Sequence, residues 1–202
     1  MVGLTRAVAL LERAVDYGLE SLTTVTAATL TRPTPCGEWD QEALLCHVNE
    51  SLAALAEGPG GCIALTGPVA HCGPPARRAQ ELTGAMRDSA RRLLDGWHSA
   101  TADASLRIGP APLAPGTVAL TGAVEIAVHG WDIAESCGHH RPIPVRLALD
   151  LLRLAPLLVD TGRRPLFAPP VRVPPLASPS DRLVGFLGRN PRAWSAPSPP
   201  VG

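Results

Sequence analysis

The sequence predicts an all-α protein in which four longer helices form an up-down bundle and short helices follow at the C-terminus. Several long segments carry apolar residues at steps of three and four, the spacing of one helix face. Proline- and glycine-rich stretches separate these segments, and no convincing two-residue alternation indicates a strand. With 46% hydrophobic and 18% charged residues, the composition is typical of a globular domain.

The first two helices are bounded by clear local signals. An apolar stripe predicts a helix from Leu4 to about Ala28, and the prolines of residues 31–35 end it because proline disfavours helix at and before its own position. Asp40 is expected to accept hydrogen bonds from the free N–H groups that begin a second helix, which runs to about Glu57.

The later helices follow glycine- and proline-rich loops. They are expected at residues 76–102, 117–137 and 144–159. Gly138 should close the fourth helix as a left-handed cap, and Pro156 should kink or shorten the fifth. Ser178-Pro-Ser-Asp181 resembles a capping box that opens a last short helix. We therefore expect a helical bundle over residues 1–165 and a proline-rich extension over residues 166–202 that packs on it with one short helix.

Charge and composition exclude several classes of partner. The formal net charge is zero, and the arginines form no run longer than two, so nucleic-acid binding is not expected. No apolar window is long enough for a bilayer, and the first residues lack the pattern of a secretory signal, which predicts a cytoplasmic protein. The five cysteines form no CxxC pair and are expected to be free thiols. Monomer and homodimer both stay open.

A carboxylate and two imidazoles form the candidate metal site. Glu125 and His129 are four residues apart and therefore project from one face of the fourth helix, which is otherwise apolar. Burying both is costly unless they are paired or bound to a metal. His47 lies beside the apolar stripe of the second helix, so helix packing could place it opposite this pair. Such a set suits a zinc-like ion and leaves a coordination position open.

Other interpretations of these residues stay open on spacing alone. A single histidine such as His47 is more often a hydrogen-bonded core residue, and a Glu-x-x-x-His pair is often a helical salt bridge. Asp132 either orients a ligand imidazole from outside the metal site or forms a surface salt bridge. Trp39 and Trp131 are interpreted as packing residues.

A second metal site is not expected in the loop that carries Cys62, His71 and Cys72. The nine residues between the two cysteines match no recognised spacing of metal ligands.

Two segments resemble the signatures of the mycothiol-dependent maleylpyruvate isomerase family. Pro33-Thr-Pro-Cys-Gly-Glu-Trp-Asp40, followed by His47, resembles the first signature, and the segment from Glu125 to Gly138 is similar to the second. The ending at residues 181–191 resembles that of short family members. The resemblance implies a DinB-like four-helix bundle with His47, Glu125 and His129 as metal ligands.

The resemblance also implies a function. It suggests a metal-dependent enzyme in which mycothiol or a similar small thiol binds a divalent ion, expected to be zinc, and adds to a small electrophilic substrate. Expulsion of the thiol would give an isomerase, and its retention a thiol transferase. Two alternatives stay open: a hydrolase, lyase or isomerase that uses the metal without a thiol, and a non-catalytic metal-binding protein. The sequence assigns no catalytic residue and does not indicate which arginines would hold a substrate.

Overall fold

The computed structural model describes residues 3–37, 39–60, 62–63, 74–101, 106–108, 111–159 and 168–194. Its helices are α1 (Leu4–Ser21), α2 (Gln41–Glu57), α3 (Pro75–His98), α4 (Pro115–Ser136), α5 (Val145–Leu158), α6 (Pro179–Phe186) and α7 (Pro191–Trp194). The prediction of an all-α bundle with short C-terminal helices is confirmed. No helix in the described ranges is both long enough and apolar enough to cross a membrane.

Two helix pairs build the bundle. Helix α1 packs mainly on α4 and α2 mainly on α3, while contacts between α2 and α4 join the pairs. The apolar stripes seen in the sequence face one continuous core, in which the large buried side chains include Leu11, Leu44, Leu45, Leu52, Leu82, Met86, Leu93, Trp97 and Trp131. Because α4 contacts both α1 and α2, it is buried along nearly its whole length and presents polar residues to a largely apolar interior.

Helices α1 and α4 lie close together at two glycines. A Cβ atom added to Gly130 would lie 3.0 Å from the Cα atom of Gly18 and 3.1 Å from the ring of Tyr17. A methyl group on residue 130 would therefore have to displace the backbone of α1 at Gly18, and not merely the end of a flexible side chain. Since Gly130 follows His129, this close contact between the helices lies next to the candidate site.

Replacing Gly130 by Ala is expected to destabilise the fold. Overpacking costs about 1–3 kcal/mol, and the better helix propensity of alanine returns about 1 kcal/mol, so the free energy of unfolding should fall by up to about 2 kcal/mol. Gly84→Ala is the matched control, since a Cβ on that helical glycine of α3 would meet no atom within 4 Å. The control should gain up to about 1 kcal/mol in urea denaturation. Equal stabilisation of both variants would contradict the close crossing.

The first helix ends earlier than the sequence predicts. It was expected to reach about Ala28, but α1 stops at Ser21 and short 3₁₀ turns follow at Leu22–Thr24 and Ala27–Thr29. The reason is the threonine-rich sequence. The Thr23 and Thr24 hydroxyls donate to nearby backbone carbonyls at 2.8 Å, and such local bonds compete with the helical pattern.

The expectation of no strands is wrong. Strand β1 (Cys62–Ile63) pairs in parallel with β2 (Leu106–Ile108), which pairs antiparallel with β3 (Ala111–Leu113). Strands of two or three residues are too short to show an alternating pattern. Leu106 is buried beside Trp97, so the small sheet closes the bundle at the C-terminal end of α3.

Local capping signals are confirmed elsewhere. The Asp40 carboxylate accepts a hydrogen bond from the Ala43 N–H at the start of α2. Gly138 adopts a left-handed conformation (φ +79°) just after α4, and Ser178 caps α6 through the Asp181 N–H. Helix α5 continues through Pro156 and ends at Leu158.

The C-terminal segment packs on the bundle. Helix α6 contacts α5, and its Leu183 and Val184 are fully buried. The boundary expected near residue 165 lies outside the described residues, so the division into 1–165 and 166–202 stays a prediction. The four-residue helix α7 was not anticipated; it starts at Pro191, where the missing N–H costs least.

Candidate functional site

The three residues predicted as metal ligands lie together between α2 and α4. Their donor atoms are all within 4.8 Å of one another. Nε2 of His47 lies 2.8 Å from Oε1 of Glu125, and Nε2 of His129 lies 3.5 Å from the same oxygen. The packing of α2 against α4 thus brings His47 across to the Glu-x-x-x-His pair.

The spacing of these atoms fits a metal ion. In a tetrahedral site with bonds of about 2.0–2.1 Å, neighbouring donor atoms lie roughly 3.3–3.4 Å apart. The distances of 2.8 and 3.5 Å bracket that value. One carboxylate oxygen and two imidazole nitrogens are also typical zinc ligands, so the residues fit the group chemically.

The site is partly open on one side. The His129 side chain is only 7% exposed, whereas those of His47 and Glu125 are 33% and 25% exposed. His129 therefore forms the buried base of the site, and the other two residues form a rim that a small molecule could reach.

Ser51 is a site residue that the sequence analysis missed. Its hydroxyl donates to Oε1 of Glu125 at 3.2 Å, the oxygen that also faces both histidines. Ser51 lies one helical turn after His47 on α2, so the four-residue spacing was a signal that could have identified it.

The loop before α2 places Trp39 over the site. The centre of its indole ring lies 4.6 Å from that of His47 and 6.5 Å from that of His129, and the residue is 38% exposed. The Thr34 hydroxyl holds this loop closed by donating to the Trp39 carbonyl at 2.9 Å and accepting from the Cys36 N–H. The packing interpretation holds for Trp131, which is fully buried, but not for Trp39.

Asp132 lies behind His129, on the side away from the rim. Its Oδ2 accepts a hydrogen bond from Nδ1 of His129 at 3.0 Å, and the carboxylate is fully buried. The alternative of a surface salt bridge is therefore wrong for Asp132. The bond leaves Nε2 of His129 directed at Glu125 and His47, which is how outer carboxylates orient metal-bound imidazoles.

Arg189, which follows α6, contacts the carboxylate of Asp132. Its Nη2 donates to Oδ2 of Asp132 at 2.8 Å, and its Nη1 donates to the Leu187 carbonyl at 2.9 Å. Burial works against ionisation of Asp132, but the Arg189 charge and the His129 hydrogen bond hold the pKa of that carboxyl below its usual range. No spacing rule in the sequence links Arg189 to the site, since it lies 57 residues after Asp132.

The site residues are strongly coupled in charge. Burial would raise the pKa of Glu125, but the His129 charge and the hydrogen bonds from both histidines hold it well below its usual range. Burial would lower the pKa of His129, but the Glu125 charge and the hydrogen bond to Asp132 outweigh this and raise it to about 9. The two carboxylates that flank His129 thus favour its protonated form when no metal is bound.

A second group of possible ligands shares His129. Donor atoms of Cys36, His129 and Asp132 lie within 4.8 Å of one another in the described part of the chain. Burial raises the pKa of the Cys36 thiol to about 11, although the Arg189 charge opposes this. The side chains of Cys62, His71 and Cys72 lie outside the described residues.

Comparisons with known proteins identify the family of the chain. Residues 11–134 match the family model described as the mycothiol maleylpyruvate isomerase N-terminal domain. Two uncharacterized proteins of Mycobacterium tuberculosis, one from strain CDC 1551 / Oshkosh and one from strain ATCC 25618 / H37Rv, are each 29% identical over 193 residues. These alignments cover 90% of this chain and 96% of each relative.

Solved structures show the same fold. Crystal structures of the mycothiol-dependent maleylpyruvate isomerase and of a mutant of it in which alanine replaces histidine match with TM-scores of 0.56 and 0.57. The identities are 17% and 18%, and each match covers 76% of this chain and 69% of the isomerase chain. At this identity the likeness concerns the fold alone, and the predicted helical-bundle fold is confirmed.

Proposed function

Because the chain belongs to the family of the mycothiol maleylpyruvate isomerase N-terminal domain, we propose that it is a metal-dependent enzyme that activates a small thiol. The reaction would be isomerisation or S-transfer on a small electrophilic substrate. The observation that carries the proposal is the convergence of His47, Glu125 and His129 at a partly open rim.

The three residues would hold one divalent ion, and their donor set favours zinc. A bound ion would lower the pKa of a thiol by stabilising the thiolate, which is the nucleophilic form. The buried position of His129 and the exposed rim at His47 would leave the approach to the ion on the solvent side.

Neighbouring residues would orient this set. Asp132 would hold the Nδ1 proton of His129, so that Nε2 binds the metal once its own proton is lost. Ser51 holds the Glu125 carboxylate from the side of α2. The exposed Trp39 ring would exclude water from one side of the rim and offer an apolar surface to the thiol or the substrate.

A cobalt-substituted protein tests the use of a thiol. Adding mycothiol, or N-acetylcysteine as a simple analogue, should produce an intense near-ultraviolet band from sulfur bound to cobalt. The band should strengthen as pH rises through the lowered pKa of the bound thiol, because only thiolate ligates. An S-methylated thiol at the same concentration is the matched ligand control and should produce no such band.

The protein controls use the proposed ligands. His47→Ala and Glu125→Ala should lose the thiol-dependent band if it arises at this site. A cobalt spectrum that stays unchanged when millimolar thiol is added, but changes when a carboxylate is added, would contradict thiol activation. That outcome would favour thiol-independent metal chemistry on a small substrate.

A further inference from the structure

Two sets of possible metal ligands share His129, and the two nitrogens of its ring face the carboxylates of different sets. Nε2 faces Glu125, 3.5 Å from Oε1, on the side where His47 completes the first set. Nδ1 faces Asp132, 3.0 Å from Oδ2, on the side where Cys36 completes the second set. Thiolate, imidazole and carboxylate are all zinc ligands, so donor chemistry alone does not exclude the second set.

A guanidinium group already lies against the second set. Nη2 of Arg189 is 2.8 Å from Oδ2 of Asp132 and 3.2 Å from Sγ of Cys36. Nε of the same arginine is 3.3 Å from each Asp132 oxygen. The Arg189 side chain is 9% exposed, so this cation is buried beside the donor atoms that a metal ion would need.

The fold directs Arg189 to this place through a glycine turn. Gly188 has φ +90°, and the Arg189 N–H donates to the Val184 carbonyl at 2.9 Å, which turns the chain back at the end of α6. A Cβ atom at Gly188 would lie 2.7 Å from that of Ala168, so a larger residue would displace the turn. Arg189 is thus held by the backbone as well as by its own hydrogen bonds.

We propose that Arg189 is a positioning residue that acts as a built-in cation in the Cys36–His129–Asp132 set and thereby assigns the metal ion to His47, Glu125 and His129. This inference rests on the proposed metal site. Arg189 neutralises Asp132 and occupies its oxygens, while Asp132 keeps the Nδ1 proton of His129. Without Arg189, a buried carboxylate without its counter-charge would attract another cation, and a nearby thiol would favour a thiophilic metal.

Cobalt spectra without added thiol test this assignment. The parent protein should bind cobalt with no sulfur band, because its ligands are nitrogen and oxygen. Arg189→Met, which keeps the length but removes the charge, should gain an intense near-ultraviolet sulfur–cobalt band. Adding Cys36→Ser to that variant should abolish the band. Arg189→Lys, which keeps the positive charge, is the matched control and should resemble the parent.

A second measurement keeps the inference testable if Arg189→Met does not fold. In His47→Ala/Glu125→Ala, the first set is removed while Arg189 stays in place. This variant should bind no cobalt with sulfur character. A Cys36-dependent band in it would overturn the inference, as would a folded Arg189→Met protein that keeps the parent spectrum.

The outcomes separate this inference from the proposed function. If the parent binds no cobalt, the proposed function fails, whereas a Cys36-dependent site gained by Arg189→Met would still support the role of Arg189. If the parent binds cobalt but Arg189→Met gains no sulfur band, only the role of Arg189 fails. If neither protein binds cobalt, both fail.

Discussion

Replacing His129 by Ala is expected to lower zinc affinity by more than about 100-fold while the protein stays helical. Loss of residues that only orient a ligand typically costs 10–100-fold in metal affinity, and His129 is the buried ligand that Asp132 orients. The apolar core between the helices does not depend on this residue. The variant should therefore fold, although with a lower melting temperature, because the charged partners of His129 lose one contact each.

The measurement is a zinc competition titration together with circular dichroism on the same samples. His98→Ala is the matched control: His98 is an exposed histidine of α3 that pairs with Glu12, away from the metal site. It should keep the zinc affinity of the parent. A folded His129→Ala protein that binds zinc as tightly as the parent would show that His129 is only a core histidine.

Replacing Glu125 by Gln is expected to change both the strength and the pH dependence of zinc binding. Zinc requires a neutral imidazole, and the Glu125 charge is the main interaction that raises the pKa of His129 to about 9. In the parent, the apparent affinity should therefore rise roughly tenfold per pH unit between pH 7 and 9. In the variant the pKa of His129 falls, so this rise should end at lower pH and the affinity at pH 9 should be at least about tenfold below that of the parent.

The same change should appear in the stability of the metal-free protein. In the folded protein the pKa of His129 is raised to about 9, above the usual value of about 6.5 for histidine. The His129–Glu125 ion pair therefore stabilises the fold fully below about pH 6.5, and this stabilisation is lost as pH rises through about 9. In Glu125→Gln, the free energy of unfolding should therefore fall less than in the parent as pH rises from about 6.5 to about 9.

Glu135→Gln is the matched control, because Glu135 is a buried acid of α4 that bonds His140 rather than the site histidines. If the zinc affinity of Glu125→Gln rises with pH as steeply as that of the parent across the whole range from pH 7 to 9, Glu125 does not set the pKa of His129.

Helices were predictable where the signals are local. Asp40 and Gly138 each act on the nearest few backbone groups. As the sequence predicts, Asp40 caps the start of α2 and Gly138 adopts a left-handed conformation after α4. The end of α1 was missed because the pattern of apolar residues continues after Ser21 while the threonine hydroxyls bond to the backbone. The short strands carry no pattern that sequence reasoning could detect.

Parts of the candidate site were predictable for the same reason. Glu125 and His129 share a face by helix geometry, and His47 lies beside the apolar stripe of its own helix. The family resemblance then favoured a metal site over the alternatives that spacing alone leaves open. The contact between Asp132 and Arg189 joins residues that are 57 positions apart, and no spacing rule links them. Trp39 was misjudged because aromatic residues are usually buried, whereas the loop that Thr34 closes leaves its ring exposed over His47.

The proposed metal site is tested most directly by elemental analysis of the purified protein after zinc reconstitution and removal of free metal. We expect about one zinc ion per chain in the parent, and a stoichiometry near zero in a protein that lacks His47, Glu125 and His129 together. The triple variant should keep its helical circular dichroism spectrum, so that loss of zinc reports the site and not the fold. A parent protein that is folded but stays near zero zinc per chain after reconstitution would show that these three residues do not form a zinc site.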